Sequence, residues 1–273
     1  METSVQEKSA KPAGTDPETS QRKKKSIVIS LFGYKGSGKT YNTIGICKKE
    51  QKILLISFDG VSQIIAEEFY SDYSITFYDA IKHNRFILVD SPEGAYYVES
   101  VENEYKNMDE MGKYLNSLAP GQFDVIIFDG LNFAEKMAEG YMRYKKGLKF
   151  DEKFADLNYW KIRNSQLNGI VEKAREKAGE FVIFTVYVKE QVMKKENGEV
   201  LSSIELPNYA KEIESLAVVE IRIDAKEVSV KSSAGNSSTT RFFATVKSSK
   251  IKRIPTGTVV DITGKRLRDV FDI

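Results

Sequence analysis

The amino-acid sequence predicts an α/β fold: a mostly parallel central sheet with helices on both faces, three layers in all, and further strands toward the C-terminus. Three observations carry this prediction. From Ser26 onward, apolar runs rich in Ile, Val and Phe alternate with helical stretches, the order expected of strands joined by crossover helices. The runs are almost continuously hydrophobic, as strands buried on both faces are. A glycine-rich turn follows the first run directly and opens a helix.

In chain order, strands are expected at 27–32, 52–58, 123–128 and 181–188, with a weaker one at 86–89. The stretches 39–49, 102–118, 131–146 and 156–178 read as helices. Beyond Glu190 the character changes: "KKENGEV" reads as a surface loop, 218–224, 227–232 and 240–248 as further strands, and "SAGNSS" as a turn. Residues 1–25 are polar, carry Pro12, Gly14 and Pro17, and are expected to be a disordered tail before a single domain over 26–273. Its basic end, Arg22 to Lys25, suits a solubilising segment, with a localisation signal or a phosphate-contacting arm as the alternatives.

Composition narrows the function less than the motifs do. Of 273 residues, 41% are hydrophobic and 29% charged, and no apolar run approaches the roughly 20 residues a bilayer requires, so a soluble protein without membrane contact is expected. Cys47 has no partner for a disulfide and His83 is the sole histidine, which fits a cytoplasmic setting and excludes a His/Cys metal cluster. Cys47 reads as buried filling, and His83, with no acid beside it in the chain, is given no role. A net charge of +2 does not by itself indicate nucleic acid.

Gly33-x4-Gly38-Lys39-Thr40 matches the phosphate-binding P-loop at every fixed position. In such a loop successive backbone N–H groups wrap phosphates, the lysine reaches the terminal phosphate and the hydroxyl ligates Mg²⁺. Gly33, Tyr34, Lys35, Gly36, Ser37, Gly38, Lys39, Thr40 and Tyr41 are therefore the expected ATP contacts. A second element is required, a buried strand ending in an aspartate for the Mg²⁺. "FDVIIFDG" supplies it with Asp129, while Asp124 falls at the strand's other end and reads as a turn residue. In "ILLISFDGVSQ", Asp59 would stand beside the loop if its strand were the loop's sheet neighbour; otherwise Asp-Gly is a turn dipeptide.

On these residues the chain resembles the RecA-like ATPases, in particular the replicative-helicase branch and the small phage and archaeal-virus recombination ATPases tied to single-strand annealing. Ser57-Phe58-Asp59 resembles that branch's Ser-Leu-Glu, whose glutamate polarises the attacking water, with a shorter acid. Tyr187 falls where the family carries a polar sensor, usually Gln or His. "LPNYAKEIESLAVVEIRID" resembles the family's short helix leading into an apolar strand, and "KIKRIPTGT" its paired cations before Pro-Thr-Gly. The resemblance implies that Lys250 and Lys252 reach into a neighbouring subunit's ATP site, so that the active form is a homo-oligomer, ring or filament. Read from the residues alone, alternation puts both on one strand face, as on a solvated basic edge.

The resemblance also implies single-stranded DNA as partner, bound by the loops after the central strands. Here that loop is "VKEQVMKKENGEVLSS", offering Lys189, Lys194 and Lys195 to backbone phosphates and no aromatic to stack; the same residues suit an exposed charged hairpin. Arg143, Lys145, Lys146, Trp160, Arg163 and Arg175 read as packing or surface residues, and Tyr96, Tyr97 and Tyr105 would suit an adenine or a subunit contact equally. Two other functions share the ATP motif: a kinase for a nucleotide or metabolite, against which stands the lack of a compact Arg-rich lid between the core motifs, and a genome-packaging or segregation motor.

Overall fold

The computed structural model describes residues 25–153, 156–194, 200–208, 211–232 and 235–271. The first half comprises β1 (Ile27–Gly33), α1 (Lys39–Ile44), β2 (Lys52–Ser57), α2 (Val61–Phe69), β3 (Ser74–Asp79), β4 (Phe86–Val89), β5 (Tyr96–Glu99), α3 (Val101–Ser117), β6 (Phe123–Asp129) and α4 (Leu131–Lys146). There follow α5 (Leu157–Lys177), β7 (Ala178–Lys194), β8 (Val200–Pro207), α6 (Lys211–Leu216), β9 (Val219–Ser232), β10 (Gly235–Ser249), β11 (Val259–Asp261) and α7 (Leu267–Val270). Among the described residues no helix is long and apolar enough to cross a membrane.

Nine strands form one sheet in the order β11-β10-β9-β1-β7-β6-β2-β3, with β8 paired to the far half of β7. The run from β9 to β3 is parallel throughout, and β8, β10 and β11 are antiparallel additions. Alternation sends neighbouring residues of each central strand to opposite faces. Ile126 and Phe128 of β6 join one core with Met108, Met137 and Leu167 from α3, α4 and α5, whereas Val125 and Ile127 join a second core with Ile44, Ala66 and Leu267 from α1, α2 and α7. This double burial explains why the central strands read as unbroken apolar runs.

Helix boundaries follow local chemistry. The Ser100 side chain accepts from Asn103 N at the start of α3, Asp156 caps α5 through Asn158 N, and α4 runs between Gly130 and Gly147, both left-handed. The expected helix over 39–49 is shorter: α1 stops at Ile44 and a series of turns leads to β2, because Gly45 ends the helix where its cap N–H bonds back to Tyr41 and Thr43. The two strands expected at 218–224 and 227–232 are the single strand β9, and β10 already runs from Gly235, inside the expected "SAGNSS" turn. Residues 1–24 of the expected tail lie outside the described residues, and Lys25 pairs with Glu172 of α5 at 2.9 Å.

The 86–89 strand stands apart from the main sheet, paired with β5 as a two-stranded ribbon. The ribbon is tied to α3 by Arg85, whose Nε donates to the fully buried Glu104 at 2.5 Å. Burial pushes the Glu104 carboxyl up and Arg85 opposes that shift. Gly140 of α4 packs on the same Glu104 so closely that a Cβ there would collide with Glu104 Cβ. Gly140→Ala is therefore expected to destabilise the fold by about 1–3 kcal/mol through overpacking, despite alanine's better helix propensity. Urea unfolding checks this, as a lower midpoint at unchanged slope.

Candidate functional site

The glycine-rich loop leaves β1 at Gly33, where a Cβ would collide with the Ile223 carbonyl of β9. Gly36 and Gly38 have φ of 78° and 81°, a left-handed backbone that lets the loop curl back over its own strand. Lys39, 9% exposed, folds into this curl: its Nζ donates to Gly33 O at 3.0 Å and Tyr34 O at 2.7 Å, and lies 4.6 Å from the centre of the Tyr187 ring. Burial lowers its pKa to about 8, with the Asp129 carboxylate pulling the other way. With only six residues in α1, loop amides and Lys39 provide more of the positive field here than a helix dipole does.

Asp129 ends β6 and is 6% exposed. Its Oδ2 accepts from Thr40 Oγ1 at 2.8 Å and Ser62 Oγ at 2.6 Å, and its Oδ1 accepts from Thr185 Oγ1 at 2.6 Å. Thr185 in turn accepts from Gly130 N at 2.8 Å, which fixes the chain where α4 begins. The hydroxyl and the carboxylate that sequence reasoning paired are thus in direct contact.

These groups face a cavity of about 350 Å³ bordered by Lys35, Gly38, Lys39, Thr40, Asp59 and Asp129. Gly36 and Tyr41 also border it, whereas Gly33, Tyr34 and Ser37 shape the loop from outside the cavity. The Tyr34 hydroxyl instead donates to Glu205 Oε1 of β8 at 2.5 Å, and Glu205 also pairs with Arg222 of β9. Among the described residues no cluster of three or more His, Cys, Asp or Glu side chains could hold a metal by itself. Thr40 and Asp129 fit an Mg²⁺ that takes most of its oxygens from phosphate and water.

Asp59 reaches the cavity by a different route from the one expected. Its strand β2 is not the neighbour of β1, since β7 and β6 lie between them. The carboxylate nonetheless borders the cavity while its Oδ1 accepts from Val61 N at 3.0 Å, so the turn role and the site role coexist. Tyr187 lies on β7, between the glycine-loop strand and the aspartate strand, and borders the same cavity.

Lys250 and Lys252 are not on a strand face; both lie in the turn after β10, which ends at Ser249. Lys250 N donates to Val218 O, and Val218 N donates to Val28 O, so the turn sits at the start of β1 while the glycine loop sits at its end. From Val28 to Gly33 is about 16 Å at roughly 3.3 Å per residue, so neither lysine serves its own chain's cavity. Lys250 Nζ donates to Ala217 O at 2.9 Å and Ser215 O at 3.3 Å, capping the end of α6. Lys252 is exposed.

Lys189 is exposed on β7, in the part paired with β8, so the expected loop is largely an antiparallel ribbon extending β7 past Val188. Lys194 also falls on β7, and Lys195 lies outside the described residues. His83 does have an acid beside it, Glu110 of α3, its Nε2 lying 2.8 Å from Glu110 Oε1. Asp124, expected as a solvated turn residue, accepts from Lys52 N at 2.8 Å. Tyr105 stacks on Tyr144, ring centres 4.3 Å apart, while Tyr96 and Tyr97 are exposed on β5. Cys47 is buried, and burial pushes its thiol pKa up.

Sequence reasoning missed Ser62 and Thr185, the two hydroxyls that complete the shell of Asp129. Thr185 interrupts the apolar run 181–188 two residues before the expected sensor position, and that polar residue inside a buried strand was the available signal. Compared with protein-family models and with curated protein sequences, the chain matches none.

A phosphate closing on the Lys39 ammonium would raise its pKa from about 8. Anion affinity is then full below that value and falls as pH rises through it, and binding takes up a proton. Calorimetry above that pH, in buffers of different ionisation heat, should report the uptake in the wild type and none in Lys39→Met. The same depression lowers stability below about 8 and is relieved as pH rises toward the ordinary lysine value.

Proposed function

We propose that the chain is an Mg²⁺-dependent ATPase of RecA-like type that acts on DNA in recombination, single-strand annealing or strand remodelling, with hydrolysis at subunit interfaces. The observation that carries this reading is the Thr40–Asp129 contact of 2.8 Å at a cavity also bordered by Lys39 and Asp59. ATP would lay its phosphates in the loop against Lys39, and Mg²⁺, held by Thr40 and through water by Asp129, would neutralise charge on them. Asp59 would orient the attacking water, from the same cavity but across the sheet from the loop's own strand.

Lys250 and Lys252 belong to this reading only as groups acting on a neighbouring copy, because the turn that bears them stands at the far end of β1 from the loop. A head-to-tail ring or filament would bring that turn to the next subunit's cavity. Contact with single-stranded DNA rests on the resemblance and is supported by the exposed Lys189 on the β7–β8 ribbon. The bond from Tyr34 to Glu205 connects that ribbon to the glycine loop.

Lys39→Ala should lower ATP turnover by a factor on the order of 10²–10³ or more by removing the cation at the terminal phosphate. Asp59→Asn should keep ATP binding and slow hydrolysis by roughly 10²–10⁴. Steady-state turnover with a parallel binding measurement checks both, and equal turnover in Asp59→Asn would return that residue to its turn role alone. Mixing Lys250→Ala/Lys252→Ala subunits with Lys39→Ala subunits should restore partial activity. A monomer that hydrolyses ATP with no such rescue would favour a kinase-like enzyme. Single-stranded DNA should stimulate turnover at low salt, with the stimulation fading as salt rises.

A further inference from the structure

Beside the phosphate cavity lies a second one of about 340 Å³, bordered by Gly38, Tyr41, Phe69, Phe242, Ile262 and Gly264. Gly38 and Tyr41 border both cavities, so the two adjoin across the start of α1. Their chemistry differs sharply: the first is bordered by Lys35, Lys39, Asp59 and Asp129, and among the described residues no charged side chain borders the second. Asn42 also borders the second cavity; its Nδ2 donates to Gly38 O at 2.9 Å, while its buried Oδ1 has no hydrogen-bond partner among the described residues.

The walls are held from separate parts of the chain. The Tyr41 ring meets Phe69 edge-on with centres 5.4 Å apart, and the Tyr70 hydroxyl donates to Tyr41 O at 2.8 Å, tying α2 to α1. Opposite them, Phe242 of β10 is clamped to the turn after β11: Phe242 N donates to Thr263 Oγ1 at 2.9 Å and Ile262 N donates to Phe242 O at 2.8 Å. The Phe242 ring lies 3.4 Å from where a Cβ on Gly38 would stand, an ordinary contact distance, so the ring packs beside the glycine loop, while the left-handed φ of 81° is what requires glycine at 38.

We propose that this apolar slot seats the base of the nucleotide whose phosphates occupy the glycine loop, with the Phe242 ring as its stacking face; the inference rests on the phosphate assignment above. A polyphosphate whose terminal end faces Lys39, Asp59 and Asp129 has its other end directed past Tyr41, and what it carries there must be uncharged and flat to enter. Recognition in the slot is by stacking and dispersion, each base presenting a π-face of its own. Binding of the whole nucleotide is then complete within one chain, and a neighbouring copy is needed only for hydrolysis.

The test compares ATP with inorganic tripolyphosphate, both with Mg²⁺, by calorimetry on the full chain. The wild type should bind ATP more tightly than tripolyphosphate. Phe242→Ala should lose roughly tenfold in ATP affinity, the scale of one base–aromatic stack, with tripolyphosphate affinity unchanged. Phe242→Leu, which keeps apolar filling on β10 and removes the ring, should show the same selective loss. Unchanged ATP affinity in both variants, or equal weakening of the two ligands in both, overturns the slot assignment while leaving the phosphate site intact. A wild-type chain that binds neither ligand overturns the phosphate assignment itself.

Discussion

Asp129 is the point on which the rest of the site depends. A carboxylate 6% exposed must be well solvated by its surroundings, and here three hydroxyls replace water: Thr40 from α1, Ser62 from α2 and Thr185 from β7. Those bonds join four elements that are distant in sequence and fix the glycine loop against the aspartate strand across an intervening strand. Lys39 adds the opposite charge nearby, itself held by two loop carbonyls and covered by an aromatic ring. Under the proposed function, this pair of opposite charges in a partly buried pocket would receive a polyphosphate and its Mg²⁺.

The sheet order gives this arrangement its reach. Because β7 and β6 separate β1 from β2, the cavity is lined by the C-terminal ends of four parallel strands, and chemistry from Asp59 and Tyr187 converges there without being adjacent in the sheet. Two antiparallel ribbons, β7–β8 and β9–β10, continue past the same edge. Glu205 bonds to Tyr34 of the loop and pairs with Arg222 of β9, so both ribbons are in contact with the glycine loop or its neighbour.

Much of the sheet and the loop was legible in the sequence. Double burial leaves unbroken apolar runs, and β1, β2, β6 and the core of β7 fell within a residue or so of expectation for that reason. Helix α4 was legible to the residue because glycines stand at both ends of it. What stayed hidden depended on tertiary partners. Strand β3, six residues at the sheet edge, and α2, nine largely exposed residues, are short elements whose periodic patterns span too few residues to stand out from a loop. Asp59 was found for its position at a strand end, although the condition attached to it, that β2 neighbours β1, is not met, and Ser62 gave no sign because its role exists only once α2 brings it to Asp129. Strand-like alternation would have set Lys250 and Lys252 on one face, but β10 ends at Ser249, one residue past the expected 248, and both lysines fall in the turn that follows.

The most direct test of the account is whether Thr40 and Asp129 create a metal site that exists only with a polyphosphate present. Electron paramagnetic resonance of Mn²⁺ bound to the protein with ATP measures it. The account predicts protein-bound Mn²⁺ with phosphorus couplings when ATP is added, little binding without ATP, and loss of the bound signal in Asp129→Ala and Thr40→Val. Mn²⁺–ATP that remains free in solution with the wild-type chain, or a bound signal indifferent to both substitutions, would contradict it.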